Sequence, residues 1–288
     1  MAIFWLYLLI SPAAAQVAHQ WTRQHGGDSD DVANSLQVDA NGNALVAGWT
    51  ESSLDGNANK GRRDIFLMKF DARGVHQWTR QRGSEGSDSA SALQVDANGN
   101  ALVAGWTESS LDGNANKGRR DIFLMKFDAH GVHLWTRQRG GEIDDVAKAL
   151  QVDVNGNALV AGDTHSSLDG NANKGHSDIF LMKFDAHGVH LWTRQRGGED
   201  LDFAYALQVD SVGNALVAGY TSSFLDGNAN KGGQDMFLMK FDAQGVHLWT
   251  RQRGGEGNDR ANALQVDSVG NALVAGYTSS FLDGNANK

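Results

Sequence analysis

The chain contains no cysteine, which excludes a disulfide framework, a thiolate zinc site and a thiol nucleophile. Its single proline, Pro12, stands against 35 glycines, a ratio that fits many tight turns. Positive charge is in deficit, with a formal net charge of -9. Nucleic-acid binding rests on neutralising phosphates with Lys and Arg, so DNA and RNA are not expected partners; free cations or basic surfaces suit the chain better. No apolar stretch reaches the roughly 20 residues that a membrane-spanning helix needs, so no membrane span is expected. Helical periodicity is missing over any useful length, and there is no nucleophile elbow, phosphate loop or HExxH zinc motif. What is present is a soluble globular composition, 41% apolar and 20% charged over 288 residues, with enough chain for a sizeable core.

Repetition organises the rest. Residues 64–107 form the unit, and its Trp78 recurs as Trp21, Trp135, Trp192 and Trp249 at a strict spacing of 57 residues. A period of this order marks a solenoid, a propeller or a bead-like array. Four segments per period carry strand signals. Residues 93–96 are the first, and the turn sequence DANGN leads from them into residues 101–107, whose near-continuous apolar run predicts burial on both faces. Residues 122–128, rich in Ile, Phe and Met, pass through the turn DAHG into residues 132–139. There His133, Trp135, Arg137 and Arg139 share one face, and Val132, Leu134 and Thr136 the other. This fourth strand is the most polar and should lie outermost, whereas Gly105 and its copies Gly48, Gly162, Gly219 and Gly276 suit a crowded region near an axis. The expected fold class is therefore all-β, a β-propeller of four-stranded antiparallel blades. A stack of open sheets is the competing architecture, but it would leave edges that need caps.

The two ends bear on closure. Residues 17–24 read as a fourth-type strand, and the chain stops after a first and a second strand, residues 264–267 and 272–278. If residues 3–8 supply the missing third strand, head and tail complete a fifth blade, and five periods nearly exhaust the chain. Residues 1–15 have a second reading. An apolar run at residues 3–10, then Pro12, then Ala13 and Ala15 before Gln16, has the layout of a secretory signal with an A-x-A cleavage site. In that case residues 16–288 are the single propeller domain.

Segments such as DIFLMKFDAHGVHLWTRQRGGEIDDVAKALQVDVNGNALVAGDT resemble the bacterial repeat of the SBBP (seven-bladed beta-propeller) family. The shared pattern is D-x-F-x-x-K-x-D-x-x-G-x-x-x-W, then G-G-x-x-x-D-x-A, then V-D-x-x-G-N-x-x-V-x-G-x-T, and the likeness runs over residues 17–288. It implies a propeller that is secreted or surface-associated. The chain departs from the family's name in holding about five units instead of seven.

Several repeated side chains are candidates for chemistry. The loop LDGNANKGRRD sets Asp55, Asn57, Asn59 and Asp64 in a pattern that looks like the calcium loops of other propellers, with Lys60 inserted before Gly61. Its copies are Asp112, Asn114, Asn116 and Asp121; Asp169, Asn171, Asn173 and Asp178; and Asp226, Asn228, Asn230 and Asp235. Calcium takes six to eight oxygens from such side chains and carbonyls; the plainer reading is a turn held by Asx hydrogen bonds. Asp31, Asp88, Asp145, Asp202 and Asp259 would form a circle of carboxylates or, more plainly, cap turns. Lys69, Lys126, Lys183 and Lys240 interrupt an apolar strand and call for partners. His130 with His133, and His187 with His190, offer two ligands where zinc needs a third. The Trp and Arg stripe of the fourth strands reads as cation–π packing.

Repetition places like groups in a circle, whereas catalysis generally needs unlike groups in one place. Positions that differ between units are the ligand-face candidates: Trp49, Trp106, Asp163, Tyr220 and Tyr277, followed by Glu51, Glu108, His165, Ser222 and Ser279. The expected function is a non-enzymatic scaffold or binding module for protein or glycan, secreted or at the cell surface, requiring no cofactor, with calcium the one candidate ion. The alternatives are a hydrolase or lyase with a site at the channel mouth, and a fragment of a larger propeller.

Overall fold

The computed structural model describes residues 19–282. Within them the chain forms eighteen strands and no helix. The first sheet holds β1 (Asp31–Val38), β2 (Ala44–Thr50), β3 (Asp64–Phe70) and β4 (His76–Arg82). The second holds β5 (Asp88–Val95), β6 (Ala101–Thr107), β7 (Asp121–Phe127) and β8 (His133–Arg139). The third has β9 (Asp145–Val152), β10 (Ala158–Thr164), β11 (Asp178–Phe184) and β12 (His190–Arg196). The fourth has β13 (Asp202–Val209), β14 (Ala215–Thr221), β15 (Asp235–Phe241) and β16 (His247–Arg253), and a hairpin of β17 (Asp259–Val266) and β18 (Ala272–Thr278) follows. Each four-stranded sheet runs in chain order with antiparallel neighbours. The protein is thus an all-β propeller array of four full blades and a two-stranded fifth.

Short polar side chains drive each reversal. In DANGN, the Asp39 carboxylate accepts hydrogen bonds from the backbone N–H of Asn41 and Asn43, both at 2.9 Å, while Gly42 takes a φ of 79°. That left-handed conformation is easy for glycine and costly for a residue with a Cβ. The second strands of the four full blades are buried along nearly their whole length, as expected from their apolar run, with only Trp49 and Trp106 half-buried. The first strand is longer than its sequence suggested: β5 begins at Asp88, not at residue 93, and Asp96 lies in the turn. Its polar start hides it, and a bulge between Ala90 and Ala92 breaks the two-residue alternation by which strands are recognised. A second bulge, between Lys126 and Phe127, turns Leu134 outward to 50% exposure while Trp135 stays on the packed face.

Blades pack face to face. Between the first two, Leu45, Ala47, Ile65 and Leu67 meet Leu93, Val103, Phe123 and Met125. Burying one such large apolar side chain contributes about 1.5–3 kcal/mol. The first strands of successive blades, β1, β5, β9, β13 and β17, are neighbours and so line the inside of the array, with the polar fourth strands at the outer edge. Backbone bonds join the blades as well, for example Asp88 N–H to Arg63 O at 2.8 Å and Asp145 N–H to Arg120 O at 2.8 Å.

Among the described residues, the end of the array is left open. Leu273 of β18 is 57% exposed, whereas its copies Leu45, Leu102 and Leu159 are 1% exposed. The expected meeting of head and tail in a shared fifth sheet is therefore not formed among the described residues, because the front of the last hairpin is left uncovered. The closing strand expected at residues 3–8, and the signal reading of residues 1–15, lie outside the described residues.

Candidate functional site

At the outer edge each blade latches onto the next. The Trp78 ring lies against Gly131, Arg80 stacks on that ring at 5.1 Å, and Arg80 Nε donates to Gly131 O at 2.7 Å. The same latch joins Trp135 with Arg137 to Gly188, and Trp192 with Arg194 to Gly245. Trp21 and Arg23 make it to Gly74, so the segment before β1 occupies the place of a fourth strand. The repeated Trp and Arg stripe of the sequence is thus blade-to-blade packing.

The Asp and Asn loops are tight turns. Asp55 has a φ of 49° and Gly56 one of 79°, and Asn57 N–H closes the turn on Leu54 O at 2.8 Å. Asn57 and Asn59 use their amide N–H groups to hold Leu54 O and Gly61 O. Asp64 accepts from the backbone N–H of Lys60 and Gly61 and from Gln81, while Asp55 turns the other way, toward Thr79. The copies in the next three loops repeat this division, with Asp112, Asp169 and Asp226 facing Thr136, Thr193 and Thr250. Burial pushes Asp178 and Asp235 up, against hydrogen bonds from Gln195 and Gln252.

The other repeated charges are also held structurally. Asp88, Asp145 and Asp202 accept from the backbone N–H of Ser84, Gly141 and Gly198. Burial raises all three, and Asp202 reaches about 6, with the nearby carboxylates of Asp178 and Asp200 adding to the effect. Lys69, Lys126 and Lys183 each meet an Asp of the DANGN-type turn, Asp39 at 2.9 Å, Asp96 at 3.1 Å and Asp153 at 3.0 Å. Burial opposes ionisation of Asp96, but hydrogen bonds from Asn100 and the Lys126 ammonium hold it below the usual carboxylate range. Among the described residues His130 and His187 accompany no third ligand; His133 and His190 bond Thr136 and Thr193 at 2.8 Å.

The first junction differs from the others. Asp112, Asp169 and Asp226 each pair with an arginine of the preceding fourth strand, Arg82, Arg139 and Arg196. At Asp55 that place belongs to His25, whose Nε2 is 2.7 Å from Asp55 Oδ2. His76 Nε2 lies 3.5 Å from the same oxygen, and the two imidazoles stack at 4.5 Å. Burial, and then the neighbouring His25, lower the His76 pKa.

The five ligand-face candidates all lie at the same register in the second strands, one residue before the closing Thr. They are not one uniform ring. Trp49 and Trp106 are covered by Arg63 and Arg120 at 3.9 and 4.2 Å. Asp163 is 3% exposed and meets Lys148 Nζ at 2.5 Å; burial raises its pKa in spite of that ammonium. Lys148 also lies over the rings of Phe203 and Tyr205, at 4.4 and 4.5 Å. Tyr220 stacks on Phe203 and Tyr205, carries Arg260 at 4.7 Å, and has its hydroxyl pushed up to about 12, chiefly by burial. Only Tyr277 of the five is broadly exposed, at 52%. It opens a cavity of about 500 Å³ with Tyr205, Asn258, Arg260 and Asn262. Lys148, Phe203, Tyr205, Arg260 and Asn262 were missed in the sequence because they sit in the polar half of the first strands. Their signal was departure from the repeat, since the second blade has Ser89 and Ser91 at those positions.

Two stretches, residues 20–55 and 248–281, match the SBBP family model, described as a beta-propeller repeat. Those two matched stretches are SBBP repeats. Among curated proteins, the regulatory protein FlaEY of Caulobacter vibrioides is 32% identical over 170 residues, 54% of this chain and 18% of that protein. An uncharacterized WD repeat-containing protein, L264, of Acanthamoeba polyphaga mimivirus is 20% identical, over 75% of this chain and 21% of that protein. The chain thus spans about a fifth of the length of these relatives. Among solved structures, the Pan2 WD40 domain of Neurospora crassa has a TM-score of 0.44 at 13% identity, over 81% of this chain and 68% of that one. The gluconolactonase XC5397 of Xanthomonas campestris has a TM-score of 0.46 at 13% identity, over 85% and 69%. The positions repeated in every unit make turns, latches and core, and the aromatic and cationic cluster falls where the units differ from one another.

Proposed function

We propose that this protein is a non-enzymatic binding module outside the cytoplasm that takes a glycan at the inner face of its last two blades. The observation that carries this reading is the lining of the 500 Å³ cavity: two tyrosine rings, two asparagine amides and one guanidinium. Tyrosine rings offer flat apolar faces to the C–H side of a sugar, and Asn and Arg supply directed hydrogen bonds to its hydroxyls. The rest of the cluster is already committed to internal pairs, so Tyr205 and Arg260 are held in place from behind by Lys148 and Tyr220. Repeats that repack the same core in every blade leave such a face free to vary without disturbing the fold.

A catalytic reading has one observation in its favour, the buried Asp163 with raised pKa beside Lys148 and two tyrosines. Unlike titratable groups in one place are what an active site needs. Asp163, Lys148 and Tyr220 do not line the cavity, however; of this group only Tyr205 faces it, beside the Asn and Arg side chains that suit recognition. The test is a glycan array probed with the wild-type protein and with Tyr277→Ala. The expected result is retention of one glycan class by the wild type and its loss in the variant. An identical profile for both proteins would remove the cavity from consideration.

A further inference from the structure

The first blade junction carries a change of chemistry that the other three do not. At the second, third and fourth junctions, the left-handed Asp of the LDGN turn is neutralised by a guanidinium: Arg82 to Asp112, Arg139 to Asp169, Arg196 to Asp226. A histidine from the same blade stands 3.5–3.6 Å from each of these carboxylates, namely His133, His190 and His247. An arginine is a permanent cation with donors only, so those three clusters are closed to a metal. At the first junction the partner is His25, and the carboxylate of Asp55 is flanked by two imidazoles instead of an imidazole and a guanidinium. Neutral imidazole offers a lone pair. With both rings neutral the cluster keeps the uncompensated charge of Asp55.

We propose that His25, Asp55 and His76 form a site for a divalent transition-metal ion of the zinc class. Their ligand atoms all lie within 4.8 Å of one another, a grouping found only here among the described residues. Two histidines and one carboxylate are a donor set that zinc accepts, at about 2.0–2.2 Å per ligand, leaving a fourth position for water or a ligand. The present distances of 2.7 and 3.5 Å from Asp55 Oδ2 bracket the ligand-to-ligand spacing of a tetrahedral site. Binding requires the His25–Asp55 hydrogen bond to open slightly, His76 Nε2 to release Thr79 Oγ1, now 2.8 Å away, and the stacked rings to turn edge-on to a common point. All three side chains are partly exposed, between 24% and 36%, so an ion can reach them and the rings can turn. Phe70 packs against both imidazoles from the inner side, giving the site an apolar floor.

His25→Arg is the decisive variant, because it installs the residue that the other three junctions already use and so is expected to fold. Thermal melting of the full chain with and without Zn2+, at neutral pH, should show a rise of several degrees for the wild type that a chelator reverses, and none for His25→Arg. Co2+ bound to the wild type should give the visible absorption of a tetrahedral site, absent in both His25→Arg and His76→Gln. A Zn2+ shift of equal size in His25→Arg would place the ion elsewhere, on histidines such as His130 or His187, and overturn the proposal. So would a wild-type midpoint that Zn2+ leaves unmoved.

Discussion

Gly131 shows how much one residue can be asked to do. Its φ is 77°, and a Cβ there would stand 3.0 Å from the ring of Trp78, so both the backbone and the latch exclude a side chain. Gly113 has a φ of 81° with nothing within 4 Å of such a Cβ. Gly113→Ala should therefore cost only the left-handed conformation, about 1–2 kcal/mol, and Gly131→Ala distinctly more, as read by denaturant unfolding. Equal losses would mean that the Trp78 contact is unimportant. Asp202 gives a pH test. Its pKa rises to about 6 in the folded protein from an ordinary value of 3.8, so the folded state binds its proton more tightly than the unfolded chain does. The resulting stabilisation is fully present below the unfolded pKa and is lost as pH rises through about 6. At pH 8 the charged carboxylate is a burden of about 3 kcal/mol. Asp202→Asn should raise the melting temperature relative to wild type at pH 8 by more than at pH 5, and a constant difference would contradict this origin of the shift.

At the scale of strands and turns, the repeat explains which elements were legible in the sequence. Second and third strands announce themselves by apolar runs that the sheets bury on both faces, and the DANGN and DAHG turns by Asp, Asn and Gly in fixed order. First strands are half-hidden, because Asp88 to Ser91 is polar and the bulge at Ser91 breaks the alternation. That same half-strand carries Phe203, Tyr205, Arg260 and Asn262, so the element that was placed too short is the one that holds the candidate site. The pairing of His25 with Asp55 and His76 was illegible for a different reason: it joins three elements, and its only trace is a histidine where later copies have arginine. The LDGN loops yield a further expectation. Their Asp and Asn groups are engaged in turn hydrogen bonds, so millimolar Ca2+ should leave the melting midpoint where a chelator puts it. A clear rise with Ca2+ would restore a calcium role for Asp55, Asp64 and their copies.

Across the whole molecule, the blades share a core and differ at the inner face. Stability is distributed along the array, each blade resting on its neighbour, and falls toward the last hairpin, where Leu273 and Val274 are exposed and, among the described residues, no third strand lies beside β18. Hydrogen exchange should accordingly find the amides of β18 far less protected than those of β10, which is buried throughout. Equal protection would mean that the hairpin is covered in solution. The central claim is that binding resides in what the copies do not share. Its most direct test is equilibrium binding of the array-selected glycan to a variant in which Tyr205, Arg260 and Asn262 become serine, the residue the second blade carries at Ser91, Ser89 and Ser91. We expect this variant to melt as a folded propeller and to lose the glycan; a folded variant that still binds with wild-type affinity would contradict the account.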